Sequence, residues 1–328
     1  MYELHVTNFG PGALGVRALE IRSRGQKAAM LASYVGDSLA ALLEPAGASS
    51  THDATRLPPG QCTIIFLWLA LPISDARPDS LQHHLLFDNL DSALAQRDGG
   101  SQSAVDVTIP VSRESPSLLS PPLPQGTWAI AGPSNTSDHR RTVAAVAGHA
   151  RDAERFAIDA VKVGPNGNTF QGDEHRNESY WAFGEPALAV ASGEVVAAVD
   201  SIADHEPHGA IPRVTLANIF GNYVTLRIAP HRFATYAHLR RGSVRVRPGA
   251  RVTAGQVLGS IGNTGQTTAP HLHFQLTNAA PRLDAEGLPF ELRSFSFLGT
   301  AADFDPSSHH VEQRRHEIPL DATVIALP

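Results

Sequence analysis

The sequence contains few of the features that mark several large protein classes. A single cysteine, Cys62, among 328 residues excludes an intrachain disulfide. The longest apolar run, Cys62 to Ile73, is too short to cross a bilayer as a helix, so a core strand is expected there. The formal net charge of −6 gives no indication of a nucleic-acid partner or an anionic membrane. The first residues, Met1 to Val6, lack the basic start and apolar core of a signal peptide and are expected to form a strand.

Several motifs that carry chemistry in other proteins are also absent. No His-Glu-x-x-His occurs, which excludes the helical zinc-peptidase arrangement, and no Gly-x-Ser-x-Gly or phosphate-binding loop is found. The glycine-punctuated stretch from Gly193 to Val257 is similar to the barrel-sandwich core of lipoyl and biotinyl carriers. Those carriers need a lysine at a hairpin tip, and no lysine follows Lys162, so a carrier role is excluded.

The composition predicts an all-β protein with many turns. Hydrophobic residues make up 42% of the chain, and it contains 27 Gly and 24 Pro, while helical periodicity is nearly absent. Residues 1–112 are expected to form an accessory β-sandwich of the immunoglobulin-like type, without the usual cysteines. Its predicted strands are Leu4–Phe9, Val16–Ile21, Thr63–Leu71 and Ala104–Val111.

A second domain is expected after a Pro/Ser-rich linker at residues 113–125. It covers residues 126–328, with its densest strand pattern in a core at residues 187–276. The strands predicted in the second domain are Leu188–Val190, Glu194–Val199, Tyr223–Ile228, Thr235–His238, Val244–Val246, Val257–Ile261, His271–Leu276 and a last strand at Asp321–Leu327.

The segment His271-Leu272-His273 is the most informative part of the second domain. Alternation on a period of two places both imidazoles on the same face of a strand, about 7 Å apart. One histidine can then bind a metal while the other serves the chemistry beside it. Taken alone, the pair is more typical of polar side chains on a solvated sheet face, and His238 of a hydrogen-bonded core histidine. His205 and His208 are expected in a solvated loop, and His83 on the surface.

Three motifs together distinguish these histidines from an isolated His-x-His. They are Tyr236-Ala237-His238-Leu239, Gly262-Asn263-Thr264-Gly265 and His271-Leu272-His273-Phe274. They resemble the lysostaphin/LytM-type zinc metalloendopeptidases, which cut peptide cross-links of bacterial peptidoglycan. The resemblance is continuous over residues 186–276 and looser back to Asn135. It implies a lysostaphin-type peptidase domain of antiparallel sheet and barrel-sandwich character, a Zn²⁺ cofactor and peptidoglycan or its peptides as partner. It also implies a periplasmic or extracellular location in the cell envelope.

The resemblance also implies roles for individual residues. The family binds zinc through a His-x-x-x-Asp motif and the second histidine of His-x-His. Carried over, Asp159 and His273 are metal ligands, and His238 and His271 are the catalytic histidines. A catalytic zinc keeps an open position for water and lowers the pKa of that water, and imidazoles that titrate near neutrality can move its protons.

The upstream motif departs from the family pattern. Arg155 stands where the family has its first histidine, and a guanidinium keeps its proton and cannot bind zinc. Another histidine is therefore expected as the third ligand, with His139 favoured over His149 and His175. Alternatively, the metal binds weakly with extra waters, or catalysis has been lost and Asp159 merely pairs with Arg155 or caps a turn. The predicted function is a zinc-dependent endopeptidase that hydrolyses amide bonds; the alternative is a catalytically degenerate binding or regulatory module of the envelope.

Overall fold

The computed structural model describes residues 1–24, 29–46, 53–71, 77–91, 102–146, 148–211, 213–215, 217–280, 284–308 and 311–328. The chain divides into two compact units, Met1–Glu114 and Ser115–Pro328. The regular secondary structure of both units is almost all β-strand, which confirms the predicted all-β class. None of the helices in the described ranges has the length and apolar character that a membrane span requires.

The first unit contains two antiparallel sheets. The elements are β1 Tyr2–Thr7, β2 Leu14–Arg24, β3 Met30–Val35, α1 Gly36–Ala40, β4 Leu43–Pro45, β5 Arg56–Leu57, β6 Cys62–Leu67, β7 Ser80–Asn89 and β8 Gln102–Pro110. One sheet has the strand order β1-β6-β4 and the other β3-β2-β7-β8, with β5 paired to β2. Leucine and isoleucine side chains from both sheets, such as Leu19, Ile21 and Ile65, form one buried cluster. The immunoglobulin-like topology stays a prediction.

The expectation that His83 lies on the surface is wrong. Its side chain is fully buried in β7, and its Nε2 lies 2.7 Å from the hydroxyl of Tyr2. Strand β7 alternates strictly between buried and half-buried positions, and His83 occupies one of the buried ones. The pattern Leu81-x-His83-x-Leu85-x-Phe87 already places His83 on the same strand face as three apolar residues.

The second unit contains the strands β9 Ser117–Leu119, β10 Gly126–Ala131, β11 Ala144–Val146, β12 His149–Arg151, β13 Ile158–Lys162, β14 Pro186–Leu188, β15 Gly193–Val199, β16 Asn222–Ala229, β17 Arg232–Leu239, β18 Arg251–Val252, β19 Val257–Ser260, β20 Leu272–Thr277, β21 Phe290–Leu292, β22 Phe295–Thr300, β23 Glu312–Arg314 and β24 Thr323–Leu327. It is built on a ten-stranded antiparallel sheet with the order β18-β15-β16-β17-β20-β13-β10-β24-β22-β23. Three two-stranded pairs, β11-β12, β14-β19 and the parallel β9-β21, complete it.

Two sequence expectations for the second unit need correction. The Pro/Ser-rich segment 113–125 is not a free linker, because Ser117–Leu119 pairs with β21 and the side chains of Leu119 and Leu123 are buried in the core. The composition of the segment predicts a linker because prolines and serines surround these two leucines. The predicted strand Val244–Val246 does not form, although the backbone amide of Arg245 donates to the carbonyl of Leu258.

The centre of the large sheet positions the functional residues. Strand β20 is buried along its whole length, because β17 and β13 flank it on either side. Antiparallel pairing places Asp159 directly opposite His273, and Ala237 opposite the same histidine on the other side. Directly opposed side chains in such a pair have Cβ atoms about 5 Å apart, within reach of a shared ligand.

Candidate metal-binding site

Asp159 and His273 form the centre of the site. The Oδ1 atom of Asp159 lies 3.0 Å from Nδ1 of His273. His273 is buried, whereas about a fifth of the Asp159 side chain is exposed. The sheet register therefore brings the carboxylate of Asp159 and the imidazole of His273 together at the edge of the core.

A third donor comes from His139, in the short 3₁₀ turn His139–Arg141. Its Nε2 atom lies 3.3 Å from Oδ2 of Asp159, and its ring centroid lies 4.8 Å from that of His273. Among the described residues, His139, Asp159 and His273 are the one set of three His, Cys or acidic side chains whose ligand atoms lie within 4.8 Å of one another. His149 is an exposed residue of β12, and the His175 ring lies against Pro207, so the structure does not bring either into this set.

The turn that carries His139 packs closely against the strands. Gly132 adopts a φ of +61°, and a Cβ atom there would lie 2.9 Å from the carbonyl oxygen of Ala157 and 3.2 Å from Nδ1 of His139. Only glycine allows both the backbone conformation and the close approach. The position of the His139 ring therefore depends on the absence of a side chain at Gly132.

Arg155 is engaged away from the three donors. Its Nη2 atom pairs with Oε2 of Glu286 at 2.9 Å, and its Nε atom lies 3.6 Å from Oδ2 of Asp152. The carboxylate of Asp159 instead has ion-pair contacts with His139, His271 and His273. The residue in the family's histidine position therefore belongs to a separate ion cluster.

His238 and His271 border the same point. Their ring centroids are 4.8 Å apart, and Nε2 of His271 lies 3.3 Å from Oδ2 of Asp159. The backbone of His238 is held at a φ of +60°, unusual for a residue with a side chain, by hydrogen bonds to Phe220 and Gly262.

Hydrogen bonds fix the tautomers of these rings. Nδ1 of His238 donates to the carbonyl oxygen of Thr264 at 2.8 Å, and Nδ1 of His271 donates to that of Ala269 at 2.8 Å. Nε2 of His273 donates a hydrogen bond to Oε1 of Gln275 at 2.8 Å. The opposite nitrogen of each neutral ring is therefore left with a lone pair.

Lone pairs of this kind cannot face a carboxylate without a positive charge between them. Nδ1 of His273 and Oδ1 of Asp159 are both acceptors once Nε2 of His273 carries the ring proton, yet they lie 3.0 Å apart. A proton or a metal cation must bridge them. The donor set of two imidazole nitrogens and one carboxylate matches the ligands that catalytic zinc sites use.

The pKa values of the cluster follow from this arrangement. Burial alone would lower the pKa of His273, but the hydrogen bond and charge of Asp159 outweigh it and raise that pKa to about 9. Burial would raise the pKa of Asp159, yet the neighbouring His271 and His139 hold it well below the usual range. The pKa of His238 is well below 6.5, first because of burial and then because of the charges of His271 and His273. His238 is therefore neutral at pH 7.

The site opens into a cavity of about 550 Å³. His139, Asp159, His238, His271 and His273 all line it, so the predicted site residues share one solvent-accessible space. Its other polar lining includes the carboxylates of Asp138, Glu154 and Asp321, and apolar contact comes from Ile211, Ile219 and Phe220.

Two supporting features were not found from the sequence. Gln275 follows His273 by two residues, so the alternation of the strand already placed both side chains on one face. The role of Gly221 depends on contacts distant in the chain: its φ is +58°, and a Cβ atom there would lie 2.2 Å from the Thr264 carbonyl oxygen that holds His238. The Gly-Asn-Thr-Gly motif identified Thr264 without indicating that its carbonyl group is the part in use.

Four histidines and an aspartate thus line one open cavity, and three of these residues form a possible metal-binding cluster. Residues 179–285 match the model of Peptidase family M23. The resemblance to lysostaphin/LytM-type peptidases is thereby confirmed for this segment. The matched range contains His238, His271 and His273 and begins after His139 and Asp159.

The curated relatives match short stretches of the chain. The peptidoglycan DD-endopeptidase ShyC of Vibrio cholerae is 37% identical over 67 residues, which is 20% of this chain and 15% of the relative. The glycyl-glycine endopeptidase ALE-1 of Staphylococcus capitis is 49% identical over 57 residues, 17% of this chain and 15% of the relative. The chain thus spans 15% of the length of each of these relatives.

Solved structures include the catalytic domain of the antimicrobial peptidase lysostaphin from Staphylococcus simulans. It is 24% identical, with a TM-score of 0.26, over 44% of this chain and 80% of that domain. A TM-score this low supports no inference about function.

Proposed function

We propose that the second unit is a zinc-dependent endopeptidase that hydrolyses amide bonds in peptidoglycan peptides. One observation carries the proposal: the donor atoms of His139, Asp159 and His273 meet within 4.8 Å, with His238 and His271 beside them in one cavity. In this proposal residues 126–328 are the peptidase domain and residues 1–112 an accessory β-sandwich.

The three donors would hold the metal through Nε2 of His139, a carboxylate oxygen of Asp159 and Nδ1 of His273. A bound Zn²⁺ ion would supply a Lewis acid and lower the pKa of a water molecule in its open position. Gln275 accepts a hydrogen bond from Nε2 of His273, so Nδ1 is the nitrogen that would bind the metal once the ion displaces its proton. Nδ1 of His273 and Oδ1 of Asp159, which lie 3.0 Å apart, would both become ligands of such an ion once it replaces the proton between them.

The remaining histidines handle protons. Nε2 of His238 has a free lone pair, because Nδ1 donates to Thr264, and a neutral imidazole at this position can take a proton from water. His271 presents Nε2 to the cavity, and the charge of Asp159 raises its pKa although burial lowers it. Protonated His271 can therefore stabilise a developing oxyanion or give a proton to the leaving amine.

The relatives support the substrate class. Their names specify a DD-endopeptidase of peptidoglycan and a glycyl-glycine endopeptidase, so both kinds of peptide bond are candidates for this chain. Peptidoglycan as substrate would place the protein in the cell envelope, periplasmic or extracellular.

The alternative, a degenerate module that binds but does not cut, had Arg155 as its support. In the structure Arg155 pairs with Glu286, and His139 stands beside Asp159 as a further nitrogen donor. This observation favours the enzyme.

The test is digestion of purified peptidoglycan by the full chain, with the released peptides identified by mass spectrometry. We expect new free amino termini from the zinc-loaded protein, none after chelation, and recovery when zinc is restored. Sacculi with direct cross-links and sacculi with glycine bridges distinguish the two bond classes. The matched controls are His271→Ala and His149→Ala: the first removes a cavity histidine, the second an exposed one. Failure of zinc-loaded protein to cleave either substrate, with zinc bound, would favour the binding module.

A further inference from the structure

We propose that the buried ion pair Arg140–Asp152 is a positioning device that holds His139 at the metal site. The inference rests on the proposed zinc site and explains how a chain with Arg155 in the family's histidine position can supply the missing ligand from another element. Arg140 and Asp152 are positioning residues, because they act through the neighbouring His139.

Arg140 is joined directly to His139 in the same 3₁₀ turn. Its side chain is 0% exposed and that of Asp152 is 1% exposed, and Nη1 of Arg140 donates to Oδ2 of Asp152 at 2.9 Å. A guanidinium is seldom fully buried unless it is paired, so this contact fixes where the turn can lie. Exposed ion pairs contribute little to structure, but a fully buried one is directional and costly to break.

Asp152 connects the turn to the strand that carries the other ligand. Oδ2 of Asp152 also lies 3.6 Å from Nε of Arg155, four residues before Asp159, and Arg155 is anchored in turn by Glu286. The backbone carbonyl of Asp152 accepts a hydrogen bond from the amide of Gly287 at 2.8 Å. Arg155, at the family's histidine position, thus belongs to a frame made of Arg140, Asp152, Arg155 and Glu286. In this proposal the frame holds His139.

The geometry assigns a measurable role to this frame. Residues that orient a metal ligand typically change metal affinity by about 10- to 100-fold when removed. We expect Asp152→Asn to weaken zinc binding by about 10- to 100-fold. In the same variant, the d–d absorption of bound Co²⁺ should change toward that of a site with one imidazole fewer.

A single substitution leaves Arg140 buried without its partner and can unfold the protein. The second variant is therefore Arg140→Met with Asp152→Leu, which fills the same space with apolar side chains, a replacement that buried ion pairs often tolerate. A purely structural pair would leave zinc affinity unchanged in this folded variant. A positioning pair predicts a loss of about tenfold or more, with the metal-free melting temperature close to that of the wild type.

The control is Arg151→Gln, which removes a partly exposed partner of Glu286 from the same ion cluster but not from the turn of His139. Its zinc affinity should stay within about twofold of the wild type. Wild-type affinity in the double variant, or an equal loss in Arg151→Gln, would overturn the inference while leaving the zinc site intact. Absence of zinc binding in the wild type would instead refute the proposed function, and the inference with it.

Discussion

Replacement of Gln275 by leucine would test whether the tautomer of His273 prepares it for a metal. Gln275 is 1% exposed and His273 is 3% exposed, and Nε2 of His273 donates to Oε1 of Gln275 at 2.8 Å. Leucine has nearly the same volume and no acceptor. Without this acceptor, a neutral His273 ring keeps its single proton on Nδ1, where it bonds to Asp159, so zinc binding must also move that proton to Nε2.

The magnitude follows from the burial of the ring. In the zinc-bound variant the N–H group of Nε2 would be buried without a partner, which costs about 1–3 kcal/mol. That cost corresponds to roughly a 5- to 150-fold loss of zinc affinity. Gln275→Glu keeps an acceptor and adds a negative charge, so its affinity should equal or exceed that of the wild type.

The assay is competition for zinc with a chromophoric chelator at fixed pH. Thr235→Val is the matched control, because Thr235 pairs with Gln275 in the sheet register and is equally buried, but its hydroxyl group bonds to Thr225 and not to the site. The control should bind zinc like the wild type. If Gln275→Leu also binds zinc as tightly as the wild type, the assignment of the His273 tautomer is wrong.

Three other predictions address proton transfer, pH and packing. His271→Ala should keep bound zinc and lose about 10²- to 10⁴-fold in turnover, and loss of zinc in this variant would mean that its role and that of His273 are exchanged. Below the pKa of about 9 of metal-free His273, zinc must displace a proton, so its affinity should fall about tenfold per pH unit from pH 8 to 6; titrations that show no pH dependence would contradict this. Gly221→Ala should lower the melting temperature and displace the Thr264 carbonyl from His238, since a Cβ atom would lie 2.2 Å from that oxygen; unchanged thermal stability would count against this packing.

Local patterns predicted much of the central sheet. The alternation around His271 and His273 gave a strand that the structure has at Leu272–Thr277, and the family motifs pointed to His238. Strands β3 and β7 of the first unit were missed. Residues Ser80–Asn89 include two adjacent histidines, and the importance of the buried one is visible only once the neighbouring strands are in place.

The remaining site contacts depend on residues far apart in the chain. Asp159 and His273 are separated by 114 residues, and only the register of β13 against β20 shows that they face each other. His139 was favoured by family resemblance, but no spacing rule connects a 3₁₀ turn to a strand twenty residues later. The direction of the Arg155 side chain depended on Glu286, which no local pattern associates with it.

The central claim is a zinc site made by His139, Asp159 and His273, and the most direct measurement is the zinc content of the purified full chain beside His139→Ala. We expect about one equivalent of zinc in the wild type, as for a three-ligand catalytic site, and loss of most of it in the variant. Less than about a tenth of an equivalent in zinc-replete wild type, or undiminished zinc in His139→Ala, would contradict the account.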